Sequence, residues 1–248
     1  MLDPALAALR WTELNRANFP AFREWLLEPI VHEEASVPRT YPGYPRWELP
    51  AVKPRTWCAL DKQLMRRRSS RSMGSALPKR ATLSRWFTLA HGVTASDRHG
   101  PVPSAGGLQA LELYLVTWTA GWLPAGVYHF DRRGRHLSQV ADRAERSDWQ
   151  ARVPSLEQIE GGTGLLVVVG ESSRVVHRYG PRGGRFLLLE AGHLLQNLSL
   201  LATSLDLAFC ALGGVFEGDV AAALGLPQTD WVLYAAVWGS TFPARRAR

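Results

Sequence analysis

The chain has 248 residues, 46% of them hydrophobic, and carries 29 lysines and arginines against 22 aspartates and glutamates, a formal charge of +7. That length buries a substantial core without a metal or disulfide staple, and Cys58 and Cys210 stand far apart with no CxxC or Cys/His spacing, so two packed thiols in a reducing compartment are expected and zinc is not. No apolar run reaches membrane-span length, Met1-Leu2-Asp3-Pro4 has no signal-peptide character, and the arginines are dispersed without regularly placed aromatics, so the expectation is a cytoplasmic protein with no membrane and no nucleic-acid partner.

Residues 5–28 show a helical rhythm in Leu6, Leu9, Phe19, Phe22, Trp25 and Leu26, broken at Pro20, and read as a short arm. Residues 38–54 turn to Tyr-Pro-Gly-Tyr-Pro and Trp-Glu-Leu-Pro, an extended connector that packs either on a partner subunit or on its own domain. Helices are expected over 60–67 and 82–92, the second with Thr82 as N-cap and Gly92 as its stop. Strands follow over 111–118 and 126–131, and His136 to Val140 returns as a hairpin partner after a turn rich in arginine. Residues 164–170, Gly-Leu-Leu-Val-Val-Val-Gly, form a continuous apolar run and predict a central strand buried on both faces. Gly161-Gly162-Thr163-Gly164 precedes that strand and reads as a turn rather than a dinucleotide loop. Residues 185–209 give the longest helix, whose polar Glu190, His193, Gln196 and Asn197 share one face that reads as an exposed side or a dimer seam. A last strand spans 231–239.

Three stretches carry chemistry. Arg66-Arg67-Arg68-Ser69-Ser70-Arg71 offers forked guanidinium donors and hydroxyls within a turn or two of backbone, which suits a phosphate. Pro103-Ser104-Ala105-Gly106-Gly107-Leu108-Gln109 is a small glycine-rich loop feeding a strand, and Leu212-Gly213-Gly214-Val215-Phe216 is a second glycine pair after the long helix. There is no GxSxG elbow, no P-loop and no HExxH.

In this order, with Arg182-Gly183-Gly184-Arg185 and Ala223-Leu224-Gly225-Leu226-Pro227, the motifs resemble the nitroreductase-like FMN-dependent family across roughly residues 56–240. The resemblance is closest to its azoline dehydrogenase branch, which oxidises thiazolines and oxazolines in peptide natural-product biosynthesis. It implies an α+β nitroreductase-like fold with a central, mostly antiparallel sheet flanked by helices in an intertwined homodimer. Residues 1–55 would be a helical arm and proline-rich connector, and 56–248 the FMN-binding domain. Arg67, Arg68, Ser69 and Arg71 map onto the phosphate end of FMN, with Arg245 or Arg246 as a further clamp. Ser104, Ala105, Gly106, Gly107 and Gln109 map onto the loop beside the isoalloxazine, and Gly213 and Gly214 onto the segment facing flavin N5.

The branch carries a lysine and tyrosine ahead of Gly-x-Arg-Gly, and the matching place here reads His177-Arg178-Tyr179-Gly180-Pro181-Arg182-Gly183. Arg178 replaces the lysine and does not serve as a general base, which leaves it to hold substrate or tune its neighbour while Tyr179 acts as acid or base. His177 is an alternative proton carrier. The resemblance implies a modified peptide or small heterocyclic substrate and a cyclase or leader-binding partner. Two other functions stay open on the same residues: an NAD(P)H-dependent nitro or quinone reductase, and a catalytically silent scaffold subunit of a biosynthetic complex.

Overall fold

The computed structural model describes residues 12–27, 58–96 and 99–242. The proline-rich connector, the first part of the arm and Arg245 and Arg246 lie outside the described residues. In chain order the elements are α1 (Phe19–Leu27), α2 (Ala59–Arg66), β1 (Ser72–Met73), α3 (Arg80–His91), β2 (Leu111–Thr117), β3 (Gly126–Asp131), β4 (His136–Asp142), α4 (Arg146–Gln150), β5 (Glu160–Gly161), β6 (Gly164–Glu171), α5 (Ser172–Tyr179), α6 (Arg182–Ser204), β7 (Leu207–Leu212), α7 (Glu217–Leu224) and β8 (Asp230–Ser240). Short 3-10 turns cover Ala105–Gly107 and Pro154–Gln158.

Six strands form one sheet in the order β4-β3-β2-β6-β8-β7. All of its ladders are antiparallel; among the described residues, parallel pairing occurs between the two-residue strands β1 and β5 and at the isolated Leu14–Phe216 bridge. The expected central strand is β6: alternation sends Leu166 and Val168 into one core layer and Leu165, Val167 and Val169 into the other. α3, α5 and α6 cover the first layer, where the Trp86 indole N–H donates to the Leu198 carbonyl at 2.8 Å and its ring meets Trp238 edge-on at 5.5 Å. The turn Pro154–Gln158 and α7 cover the second, through Leu156, Val220 and Leu224. Each fully buried leucine or valine contributes roughly 1.5–3 kcal/mol, so β6 anchors both layers.

Three expected boundaries moved. The helix drawn over 185–209 ends at Ser204, because Asp206 adopts a left-handed φ of 54° and Leu207 to Leu212 then joins β8 as an edge strand, taking Phe209 with it. Thr82 is not an N-cap: α3 begins at Arg80, directly after Pro78 and an extended Lys79, and Gly92 stops it by donating its N–H to Phe87 and Thr88. Pro20 does not break a helix but stands in the first turn of α1, where its missing N–H has no intrahelical acceptor to lose.

Before α1, the described N-terminal residues dock on the start of α7. Leu14 bridges Phe216, Phe19 stacks edge-on against the Phe216 ring at 5.2 Å, and Arg16 pairs with Asp219 at 3.1 Å.

Candidate functional site

The glycine loop enters β2 through three successive left-handed departures. Gly106 and Gly107 have φ of 59° and 66°, and Gln109 holds 53° without being glycine. Glycine is required twice over at the first two positions. A Cβ on Gly106 would run into the Tyr179 hydroxyl and stand 3.3 Å from Arg178 Nε, and one on Gly107 would meet His99 Nε2 at 2.6 Å. The loop is therefore packed against the pair that the sequence singled out, and its small residues are explained by that packing as well as by backbone conformation.

Glu190 fixes the loop from α6. It is 4% exposed, accepts the Ala105 N–H at 2.7 Å and bonds the Ser104 hydroxyl, whose oxygen in turn accepts the Gln109 N–H at 2.8 Å. Burial pushes its carboxyl up, while these two bonds act in the opposite direction. Glu190 thus leaves the exposed stripe to which its spacing assigned it. His193 and Gln196 do face outward, and Asn197 donates to the carbonyls of Ala90 and Pro101. Arg174 of α5 adds a further tie, donating to the Gln109 carbonyl at 2.9 Å while paired with Glu171 and Glu112.

Tyr179 closes α5. Gly180, at a φ of 54° that favours glycine, stops the helix, and the tyrosine ring lies edge-on against Phe186 at 5.0 Å with the Arg178 guanidinium 5.7 Å from its centre. His177 is exposed one position before them.

The arginine segment occupies a different place. Arg66 ends α2 and pairs with Asp206 at 3.1 Å, and Arg68 turns back onto the carbonyls of Met65 and Arg67. The Ser70 N–H donates to the Phe209 carbonyl at 3.0 Å, which lays the segment along the outer edge of β7. Among the described residues, neither Arg67 nor Arg71 pairs with a carboxylate; Arg71 and Ser69 are exposed, and the Arg71 charge opposes the burial that raises the Cys210 thiol. These two cations and the Ser69 hydroxyl are a donor set that fits a phosphate.

Just past the end of β7, Gly213 is exposed with open space at its Cβ position and lines a cavity of about 270 Å³ with Leu188 and Ala191 of α6, Leu212, Val232 and Glu217. Gly214 is buried and its N–H is committed to Ser155 Oγ at 2.9 Å. The Glu217 carboxyl accepts the Leu14 N–H at 2.8 Å and is pushed up to about 7, chiefly by burial.

Two half-sites result. Phe209 pairs with Trp238, Trp238 with Gly164, and Gly164 with Thr117, whereas the glycine loop leads into the other end of β2 at Leu111. Three inter-strand steps and six residues of strand separate the arginine segment from the loop, roughly 25 Å on an untwisted sheet. α6 stands between the half-sites, with Glu190 turned to the loop and its neighbour Ala191 to the cavity. Glu190 and Glu217 were missed from sequence. Glu190 had a signal, an acidic residue after the apolar run Phe186 to Leu189, but burial was needed to distinguish it from a surface charge; Glu217, followed by Gly218 and Asp219, had none.

Among the described residues, no His, Cys, Asp and Glu cluster is placed to hold a metal, and no helix is long and apolar enough to cross a membrane. A six-stranded antiparallel sheet with helices on both faces, uncommitted arginines on its edge strand and a glycine loop at the far end define the class. The nitroreductase family model matches residues 64–240, and the chain belongs to that family of oxidoreductases. It is 29% identical over 176 residues to a protein of Methanocaldococcus jannaschii that carries a provisional nitroreductase name, covering 70% of this chain and 88% of that one. It is similar in fold to a chain of the E. coli microcin synthetase McbBCD complex, solved with truncated pro-MccB17 bound. That match has a TM-score of 0.75 and 20% identity and covers 98% of this chain and 95% of the other. A provisionally named nitroreductase from Anabaena variabilis matches with a TM-score of 0.65 and 23% identity over 74% of this chain, which spans only 38% of that protein.

Proposed function

We propose that this chain is an FMN-dependent dehydrogenase that converts a thiazoline- or oxazoline-type ring to an azole on a modified peptide, with oxygen reoxidising the cofactor. The observation that carries the reading is the convergence of the Tyr179 hydroxyl and the Arg178 guanidinium on left-handed Gly106. The fold likeness to a chain of the microcin synthetase McbBCD complex, solved with truncated pro-MccB17 bound, supports it and favours a partner of the cyclase or leader-binding kind.

FMN, when bound, supplies two-electron acceptance to a site whose protein groups bind, orient and move protons. Arg67, Arg71 and the Ser69 hydroxyl would hold its phosphate beside β7, with exposed Gly213 just past the end of that strand. Tyr179, acting as the phenolate, takes the ring proton of the substrate at its phenol oxygen, and the neighbouring Arg178 guanidinium holds the peptide. Glu190 keeps Ser104 and Ala105 in register with them. The separation between the half-sites favours a homodimer in which the loop of one copy completes the arginine edge of the other, and residues 1–55 would form an arm outside the 56–248 cofactor domain.

The test begins with an absorbance spectrum of the purified protein and mass identification of released flavin, then turnover of azoline-containing peptides. The expected result is FMN near one per subunit and azole formation that Tyr179→Phe lowers about 100-fold or more with flavin content unchanged. Intact turnover in Tyr179→Phe removes the assigned proton role. Rapid bleaching of the flavin by NAD(P)H with no azoline turnover supports instead the nitro or quinone reductase reading, towards which the M. jannaschii relative's name points. Absence of flavin even after reconstitution would make the chain a scaffold subunit.

A further inference from the structure

The cavity beside Gly213 is lined mainly by aliphatic side chains, with the Tyr234 ring and one charged side chain. Leu188 and Ala191 close it from α6 and Leu212 and Val232 from the sheet, while Glu217 reaches it from the first residue of α7. A smaller cavity of about 90 Å³ lies on the N-terminal side of the same carboxyl, against Thr12 and Glu13. Glu217 is held in place there, because the Leu14 N–H donates to its Oε2 at 2.8 Å and Leu14 is itself bridged to Phe216.

We propose that the cavity beside Gly213 binds a small, mostly apolar ring bearing one basic nitrogen, and that Glu217 shares a proton with that nitrogen. This rests on the dehydrogenase reading above, and it deepens it by assigning the polar contact of the heterocycle. The aliphatic walls favour an apolar body by the area they bury but cannot orient it; the lone carboxyl can. A purely apolar ring would leave Glu217 desolvated with only its two backbone donors. A ligand with several charged groups would set the others against leucine and valine. A single nitrogen satisfies both limits. A protonated carboxyl donates to the ring nitrogen, and an ionised one accepts from the protonated nitrogen, in the same geometry.

The carboxyl is well placed for this because it titrates near the working range. Burial pushes it up to about 7 and the Glu13 charge adds to the effect, against hydrogen bonds from its own N–H and that of Leu14. Tyr234 of β8 also lines the cavity, and Asp219 on α7 is paired with the exposed Arg16.

The full-length chain is titrated calorimetrically with 2-methyl-2-thiazoline from about pH 5 to about pH 9, in two buffers of different ionisation enthalpy, with flavin content recorded by absorbance in every sample. Binding is expected to weaken about tenfold per pH unit above about 7, as the carboxyl loses the shared proton. Glu217→Gln keeps a permanent donor and is expected to abolish that alkaline loss. Gly213→Leu fills the cavity where nothing lies within 4 Å of its Cβ and is expected to abolish ring binding in samples whose flavin content matches the parent. The proposal is overturned by no heat of binding at any pH, by the same alkaline loss in Glu217→Gln, or by undiminished binding to Gly213→Leu. Proton-linked binding to a chain that takes up no flavin refutes the cofactor reading alone. A flavin-loaded chain that binds the ring without pH dependence refutes this proposal alone.

Discussion

On the loop side of α6 the carboxylates Glu190 and Glu112 find partners within the protein; on the β7 side Arg67, Arg71 and Glu217 have no side-chain partner of opposite charge among the described residues. Glu190 is met by Ala105 and Ser104, Glu112 by His129 and Arg174, and Arg174 by Glu171 and the Gln109 carbonyl. Across the helix, Arg67 and Arg71 pair with no carboxylate among the described residues, and Glu217 has only backbone donors. The first region is a preassembled wall whose geometry is settled by folding. The second leaves its charges uncommitted within the fold.

The sharpest way to break this contrast is at Gly106. Gly106→Val puts an L side chain at a left-handed φ, costing about 1–2 kcal/mol from the backbone alone, and displaces Tyr179; displacements of that kind cost roughly 100-fold in turnover. Turnover and melting temperature are both expected to fall, and a variant with parental turnover would show that the loop is not a rigid wall. Next in size, Arg71→Ala is expected to weaken FMN roughly 10- to 100-fold by loss of a charge-assisted contact, with an unchanged circular dichroism spectrum. Arg66→Ala is its control: it breaks an exposed pair with Asp206 worth about 0–1 kcal/mol and should leave FMN affinity alone. Equal losses in both would mean that general charge, rather than a specific contact, holds the phosphate.

Glu190→Leu tests the wall itself. It orphans the Ala105 N–H and is expected to cost about 1–3 kcal/mol in urea unfolding, whereas Glu190→Gln keeps the acceptor and stays close to the parent. The smallest effect separates the two sides by pH. His91, buried and lowered to about 4, is neutral in the folded chain, so stability is lost as pH falls from its unfolded value of 6.5 towards 4. Glu217 acts oppositely: the folded chain retains a proton that the unfolded chain releases near 4.5, so its contribution declines as pH rises towards 7. His91→Gln should remove the loss of stability on acidification from 6.5 towards 4, and Glu217→Gln the opposing loss as pH rises from 4.5 towards 7.

Much of the sheet was legible in the sequence because its strands are short periodic runs with glycine or turn punctuation. β3 appeared at its observed limits, and β6 could be read as doubly buried from its unbroken apolar run. Helix α5 was not delimited, since Ser-Ser-Arg-Val-Val-His-Arg-Tyr buries only Ser172 and Val175 and leaves no apolar stripe to detect. The start of β7 was absorbed into the long helix because Leu201, Leu205, Leu207 and Phe209 suit either period, and only the left-handed Asp206 and the pairing with β8 separate the two.

The sequence by itself determined the family, the order of the strands along the chain and the residue types available for an anion and a close loop, because these depend on local pattern and side-chain chemistry. Tertiary structure decided which of those residues meet. Tyr179 and Gly106 are joined by the packing of α5 against the loop, Glu190 is turned inward by the pitch of α6, and the arginines are held apart from the loop by the strand order. Such contacts depend on burial and long-range register, which no local stretch of sequence encodes.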